Sequence, residues 1–336
     1  MVEKDKTTMV TDSARIEIQK KAQQIEHMGT TFSEKVNNPV HVTINGKKYE
    51  AERGTKILNF CHQIGVEIPT LCHIKDYSDI GSCRLCMVEI EGYEKLFAAC
   101  RTKLEEGMVI TTDSEKLTEY RKEMLRLLLS NHTVDCMNCP KNGGCQLQEL
   151  CNYYEIKDTP YAGSRRKIED KLPKLEDNPY LSYDPSKCIH CQRCISACNR
   201  AAVNHTLKSG RTGVFHTVEA PFGPDWKKTG CESCGNCAAA CPTGALTLKR
   251  KAKYHEWSTR KVLTTCPHCA TGCQFYLLVK DNKIVDVEAA DGPSNHGLLC
   301  VKGRSGSFDF VNSPDRIKTP LIKNKETGEF EPATWD

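Results

Sequence analysis

The tightest constraint on this chain is a cysteine spacing that occurs twice. Cys188-x2-Cys191-x2-Cys194-x3-Cys198 is followed by Cys231-x2-Cys234-x2-Cys237-x3-Cys241-Pro242. Thiols two residues apart can be turned toward one small volume, so each run forces the backbone to wrap around a metal centre. This is the two-cluster ferredoxin spacing, in which the fourth cysteine of each run ligates the other cluster. Cys188, Cys191 and Cys194 are therefore expected to share a 4Fe–4S cube with Cys241, and Cys231, Cys234 and Cys237 one with Cys198. Asn199 stands where a proline usually follows, which removes no ligand. Structural zinc is the competing reading of such runs.

The remaining cysteines fall into three further sets. Cys72-x10-Cys83-x2-Cys86-x13-Cys100 offers four thiolates, enough for a 2Fe–2S cluster. Gly81 and Ser82 precede its close pair, where backbone amides can donate to cluster sulfur. His132-x3-Cys136-x2-Cys139-x5-Cys145 offers one imidazole and three thiolates. In isolation that set suits zinc and a 4Fe–4S cube equally; its company points to the cube. Cys266-x2-Cys269-x3-Cys273-x26-Cys300 suits a fourth cube. Nineteen of the 21 cysteines are thus assigned, and Cys61 and Cys151 remain as packing residues.

Composition agrees with a chain held together partly by metal. Hydrophobic residues make up only 39% of 336, lean for several ordinary cores. Metal-binding free energy becomes folding free energy and can make up the difference. The net charge of +4, from 47 basic and 43 acidic residues, is too balanced to suggest a nucleic-acid partner. No segment approaches the ~18 apolar residues of a membrane span, and the start lacks a signal-peptide apolar region. A cytoplasmic location is expected, where clustered thiols mean metal rather than disulfides.

The expected fold class is α+β and multi-domain. Residues 1–38 read as a polar arm with a weak helix over Ser13–Glu26. Residues 39–112 read as a β-grasp 2Fe–2S ferredoxin domain. Val40, Val42 and Ile44 alternate with polar residues before an Asn45-Gly46 turn, a helix fits Thr55–Ile64, and strands fit Cys86–Ile90 and Met108–Thr111. Residues 113–177 hold a helix and a 4Fe–4S domain whose ligands are one histidine and three cysteines. Thr112 and Glu115 form a candidate capping box, Leu117, Tyr120, Met124 and Leu128 follow at helical spacing, and little periodicity is legible across 132–176. Residues 178–255 form the two-cluster domain. Residues 256–336 open a further 4Fe–4S domain with a hairpin across Phe275–Glu288, turning at Lys280-Asp281-Asn282.

From residue 39 onward the order of these sets resembles known families. The first two sets, with Asn131-His132-x3-Cys136-x2-Cys139-Pro140, resemble the large iron–sulfur subunit of respiratory complex I and the N-terminal part of iron-only hydrogenases. The doubled run is shared with those hydrogenases, but the catalytic-cluster cysteines that would follow it there do not appear. TTCPHCATGC at 264–273, GLLCVKGR at 297–304 and SPDRIKTPLIKNKETGEFEPATWD at 313–336 resemble the opening domain of molybdenum or tungsten bis-pterin formate dehydrogenases. That resemblance implies a cube at Cys266, Cys269, Cys273 and Cys300 beside a pterin, with Lys302 between them helping electrons cross. It implies a Mo/W bis-pterin guanine dinucleotide only in the complete subunit. It also implies partners in a hetero-oligomer: an NAD(P)-linked flavoprotein, small iron–sulfur subunits, ferredoxin or hydrogenase subunits. No cysteine follows Cys300, so the catalytic selenocysteine or cysteine, histidine and arginine are not in this chain. We therefore expect a piece of a longer subunit, with a stand-alone relay subunit as the alternative and a complex I-type subunit as the third reading.

Overall fold

The computed structural model describes residues 38–161, 178–220, 229–249, 254, 256–306 and 308–336. The helix expected over Ser13–Glu26 lies outside them.

The expected hairpin is formed by β1 (Pro39–Ile44) and β2 (Lys47–Glu52). Val40, Val42 and Ile44 are buried, and Asn45 and Gly46 both take positive φ (50° and 79°), which matches strand twist in a two-residue turn. Strands β3 (Met87–Ile90), β4 (Phe97–Ala98) and β5 (Val109–Thr111) complete one sheet in the order β2-β1-β5-β3-β4, with β1 and β5 parallel. Helix α1 (Ile57–Gln63) lays Ile57, Leu58, Phe60 and Cys61 on this core.

Helix α2 (Glu115–Ser130) departs from expectation at its start. Its cap is Ser114, whose Oγ accepts from Leu117 N–H at 3.2 Å. Thr112 is held elsewhere: its N–H donates to Asn45 Oδ1 and its Oγ1 accepts from Asn45 Nδ2. The buried stripe is Leu117, Arg121, Leu125 and Leu129, with Tyr120, Met124 and Leu128 beside it. Arg121 explains the rotation. Its guanidinium donates inward to the carbonyls of Thr112 (2.7 Å), Leu85 and Met87 (3.3 Å each), so it grips the chain on both sides of Cys86. Within the stretch that lacked legible periodicity lies a second helix, α3 (Gln146–Tyr153), burying Leu147 and Cys151 one turn apart.

The doubled run is framed by β6 (Leu181–Tyr183) paired antiparallel with β9 (Leu246–Leu248), and by β7 (Lys208–Gly210) paired with β8 (Thr217–Glu219). Two short helices, α4 (Arg193–Ser196) and α5 (Asn236–Ala240), each begin one residue before a run's third cysteine. A π-helical turn over Ala197–Ala201 carries Cys198. Beyond lies an antiparallel meander of β10 (Arg260–Thr265), β11 (Gln274–Lys280) and β12 (Lys283–Ala289). Its turn is tighter than expected, with only Asp281 and Asn282 at positive φ. A π-helical turn over Lys302–Gly306 follows Cys300. The last hairpin, β13 (Leu321–Lys323) with β14 (Phe330–Pro332), is exposed throughout. Among the described residues no helix is long and apolar enough to cross a membrane.

Candidate iron–sulfur sites

Each run bends around its cysteines by the same device. His190 and Gln192 in the first run and Ser233 and Gly235 in the second take positive φ, at matching places between the cysteines. Left-handed residues reverse the backbone so that side chains three positions apart can converge and amides point inward. His190 N–H accordingly donates to Cys188 Sγ at 3.4 Å, and Leu246 N–H to Cys241 Sγ at 3.5 Å. An enclosed cavity is lined by Cys188, Cys191, Cys194 and Cys241, together with Tyr183, Ile189 and Val218. Burial, then the thiols of Cys241 and Cys188, holds the Cys191 thiol far above its ordinary value. Cys237 is raised in the same way by burial and then by Cys234, Cys198 and Cys231. The fourth cysteine of each run thus stands among the first three of the other.

The first set is fully buried. Cys72 stands beside Cys83, and Cys86 beside Cys100. The neighbouring Cys83 brings Cys72 down to about 5, while Cys83 and Cys100 are pushed up by their partners and by burial. Leu71 N–H also donates to Cys83 Sγ at 3.4 Å. In the second set, His132 is buried and its Nδ1 lies 3.1 Å from the carbonyl of Lys187. A carbonyl only accepts, so Nδ1 carries the proton and Nε2 the lone pair a metal needs. Burial raises Cys145 to about 11, with Cys139 and Cys136 adding to the rise. In the fifth set, burial and then Cys266, Cys269 and Cys300 raise Cys273. Cys269 is lowered by Thr271, with a further contribution from Lys302, which places the lysine's charge near that thiol. Cys61 and Cys151 are buried thiols, raised by burial to about 11 and about 12, Cys151 also by the neighbouring Cys145 and Cys136.

The donor chemistry suits clusters: thiols in fours, or three with one imidazole, in mostly apolar pockets with amides aimed at sulfur. Among the described residues no three His, Cys, Asp or Glu side chains close on a point that would hold a single ion.

The sets also touch one another in sequence order. One apolar cluster contains Cys72 and Cys83 of the first set, Cys145 of the second and Cys191 of the third. A methyl group at Gly244 would lie 2.4 Å from Cys139 Sγ, so the second set abuts the chain just after Cys241. Lys187 O accepts from both His132 and Thr243. The third and fourth sets share a core through Cys188, Cys194, Cys198, Cys237 and Cys241. Asn236 and Arg304 join the fourth set to the fifth. The ligand spacings had marked neither of these two residues nor Gly244.

Comparison with known proteins follows the same order. The 2Fe–2S iron–sulfur cluster binding domain matches residues 37–115 and the NADH-ubiquinone oxidoreductase-G iron–sulfur binding region residues 121–160. The 4Fe–4S binding domain matches residues 224–247 and the molybdopterin oxidoreductase Fe4S4 domain residues 259–313. The NADPH-Fe(3+) oxidoreductase subunit alpha of Geobacter sulfurreducens is 36% identical over 85% of this chain and 33% of its own length. A G-type subunit of the NADH-quinone oxidoreductase of Rhizobium meliloti is 35% identical over 88% of this chain and 34% of its own. A Staphylococcus aureus protein named as a candidate formate dehydrogenase is 28% identical over 88% and 33%. The chain therefore spans about a third of the length of these relatives. A chain of an NAD+-reducing [NiFe]-hydrogenase crystal structure superposes with a TM-score of 0.56 at 28% identity, covering 64% of this chain and 89% of that one. Segment by segment, this chain matches the iron–sulfur domains of NADH-ubiquinone oxidoreductase-G and of molybdopterin oxidoreductases.

Proposed function

We propose that this chain is the electron-transfer portion of a formate dehydrogenase, relaying electrons between a Mo/W bis-pterin site and an NAD(P)-linked flavoprotein or ferredoxin-type partner. The observation that carries this reading is the unbroken succession of contacts from the first cysteine set to the fifth. The fifth-set match to a molybdopterin oxidoreductase domain supports the pterin end.

The ligands are those of the five sets: Cys72, Cys83, Cys86 and Cys100 for one 2Fe–2S cluster, and the four remaining sets for 4Fe–4S cubes. When bound, such clusters accept and release single electrons. The chain's own residues hold and tune them. Amides of Leu71, His190 and Leu246 donate to cysteine sulfur and so favour the more negative, reduced form. Apolar packing around the first and third sets keeps water away. His132 supplies a neutral ligand where a thiolate would add charge. Lys302, near Cys269, would stand between the fifth cube and the pterin in the complete subunit. Full loading gives eighteen irons per chain, two from the 2Fe–2S cluster and sixteen from four cubes; iron near ten with bound zinc would refute it. Lys302→Ala should keep all the iron yet slow cluster reduction by formate in the complete enzyme, and unchanged turnover would remove its role.

A second reading, a relay without formate chemistry, is favoured by the higher identities of the Geobacter and Rhizobium proteins. Anaerobic addition of formate to the complete complex separates the two. Cluster signals that formate reduces support the first. Signals that NAD(P)H reduces and formate leaves oxidised support the second.

A further inference from the structure

Between the fourth and fifth sets the contact runs through two side chains that are neither cysteine nor histidine. Asn236 is buried. Its Nδ2 donates to Cys234 Sγ at 3.4 Å, and its Oδ1 accepts from Leu299 N–H at 3.1 Å and from Arg304 Nη2 at 2.8 Å. Leu299 immediately precedes Cys300. One amide side chain therefore spans from a sulfur of the fourth set to the backbone beside a thiol of the fifth, out of contact with solvent.

Arg304 leaves the π-helical turn and reaches back over Gly235, where even a methyl group would lie 2.4 Å from its Cδ. It is 3% exposed, and its Nε donates to Cys234 O at 2.9 Å. Among the described residues both of its hydrogen-bond partners are neutral oxygens, a costly arrangement for a buried guanidinium. The negative groups near it are the thiols of Cys234, Cys237 and Cys300 and the carboxylate of Asp286. Four thiolates around a cube carry net negative charge, and each electron added makes it more negative. A cluster on the fourth set would add to the counter-charge that the Asp286 carboxylate supplies.

We propose that Asn236 and Arg304 are the positioning residues for electron passage between the fourth and fifth clusters: Asn236 fixes their separation and donates to the Cys234 sulfur, and Arg304 is the fixed cation that makes the fourth cluster easier to reduce. The step is a one-electron exchange in which one cube is oxidised as the other is reduced, with no proton moved. It rests on the cluster reading of these two sets.

The test is an EPR-monitored redox titration of the full-length, cluster-loaded protein, reduced with dithionite and compared with Arg304→Leu, Arg304→Lys and Asn236→Asp. Asn236→Asp has the same shape and keeps both acceptor bonds, so it reads the effect even if Arg304→Leu does not fold. In Asn236→Asp and Arg304→Leu, one 4Fe–4S signal should show at least a tenfold lower reduced-to-oxidised ratio at fixed potential, about 59 mV for a one-electron couple. The other signals should not move, and Arg304→Lys should shift less. A merely structural role would not displace one potential alone. If Asn236→Asp retains its iron and every signal titrates as in the parent, the inference is overturned and the cluster reading survives. If the parent itself carries no cubes at these sets, the cluster reading falls and takes the inference with it.

Discussion

Substituting Gly244 with alanine tests the contact between the second and third sets by the sign of its effect. Gly244 does not occupy the left-handed region, so alanine fits its backbone without strain. Away from any clash such a change stabilises by about 0.4–1 kcal/mol, because the unfolded chain loses freedom. Here the new methyl would lie 2.4 Å from Cys139 Sγ, with Lys141 Cβ and Lys187 Cδ at 3.6 Å. Contact distances of about 3.5–4.0 Å mean the sulfur must retreat by about 1 Å or more. A free thiol would simply rotate away, but a thiolate bound to a cube held also by His132, Cys136 and Cys145 cannot. Overpacking of this kind costs about 1–3 kcal/mol, which weakens retention of that cluster by about 5- to 140-fold. Chelator challenge, followed by iron count and by the His-ligated cluster's EPR signal, reads this directly. Early loss of four irons from one site is expected. Retention equal to or better than the parent would refute the reasoning, because it would mean that Cys139 is not fixed against Gly244.

Three further outcomes follow from the geometry. His132→Cys adds a thiolate charge and loses the bond to Lys187 O, so one 4Fe–4S potential should fall while iron is kept; an unchanged potential would remove His132 from the ligand set. Ser114→Ala deletes the cap oxygen that accepts from Leu117 N–H and should cost about 1 kcal/mol, read as faster amide exchange at Leu117. Asp79 is held below its ordinary carboxyl value, chiefly by the Lys56 hydrogen bond and then by Arg101 and Arg200 at 3.4 and 3.7 Å. Its folded value is depressed, so its contribution is present above the unfolded value of about 4 and is lost as pH falls through the lower folded one. Asp79→Asn should therefore destabilise equally from pH 8 down to about 5, with the gap from the parent narrowing only below about 4; a gap that already closes at pH 6 would contradict this.

Ligand spacing is a local property, and that is why five cysteine sets can be proposed from the chain alone. Turn chemistry was legible for the same reason: Asn45-Gly46 announces its hairpin because few other pairs tolerate two positive φ angles. What escaped was decided at a distance. Leu117 begins a plausible apolar stripe, but Arg121 rotates it by collecting carbonyls from Leu85, Met87 and Thr112, the first two more than thirty residues away. Helix α3 has only Leu147 and Cys151 buried, too few to stand out as a period. His190, Gln192 and Ser233 take left-handed conformations that their residue types do not advertise. The bridging roles of Asn236 and Gly244 depend on partners 63 and over 100 positions away, which no window along the chain contains.

The exchange of fourth cysteines between the two runs has a consequence for how the protein is assembled. Cys198 stands with the later run and Cys241 with the earlier one. On the proposed ligand assignment neither half is complete without the other: the earlier run lacks its fourth sulfur until Cys241 has been made, and the later run takes its fourth from Cys198. During synthesis the first run must wait, three thiols exposed, for its closing partner. On that assignment a chain that ends between the two runs would hold neither cube.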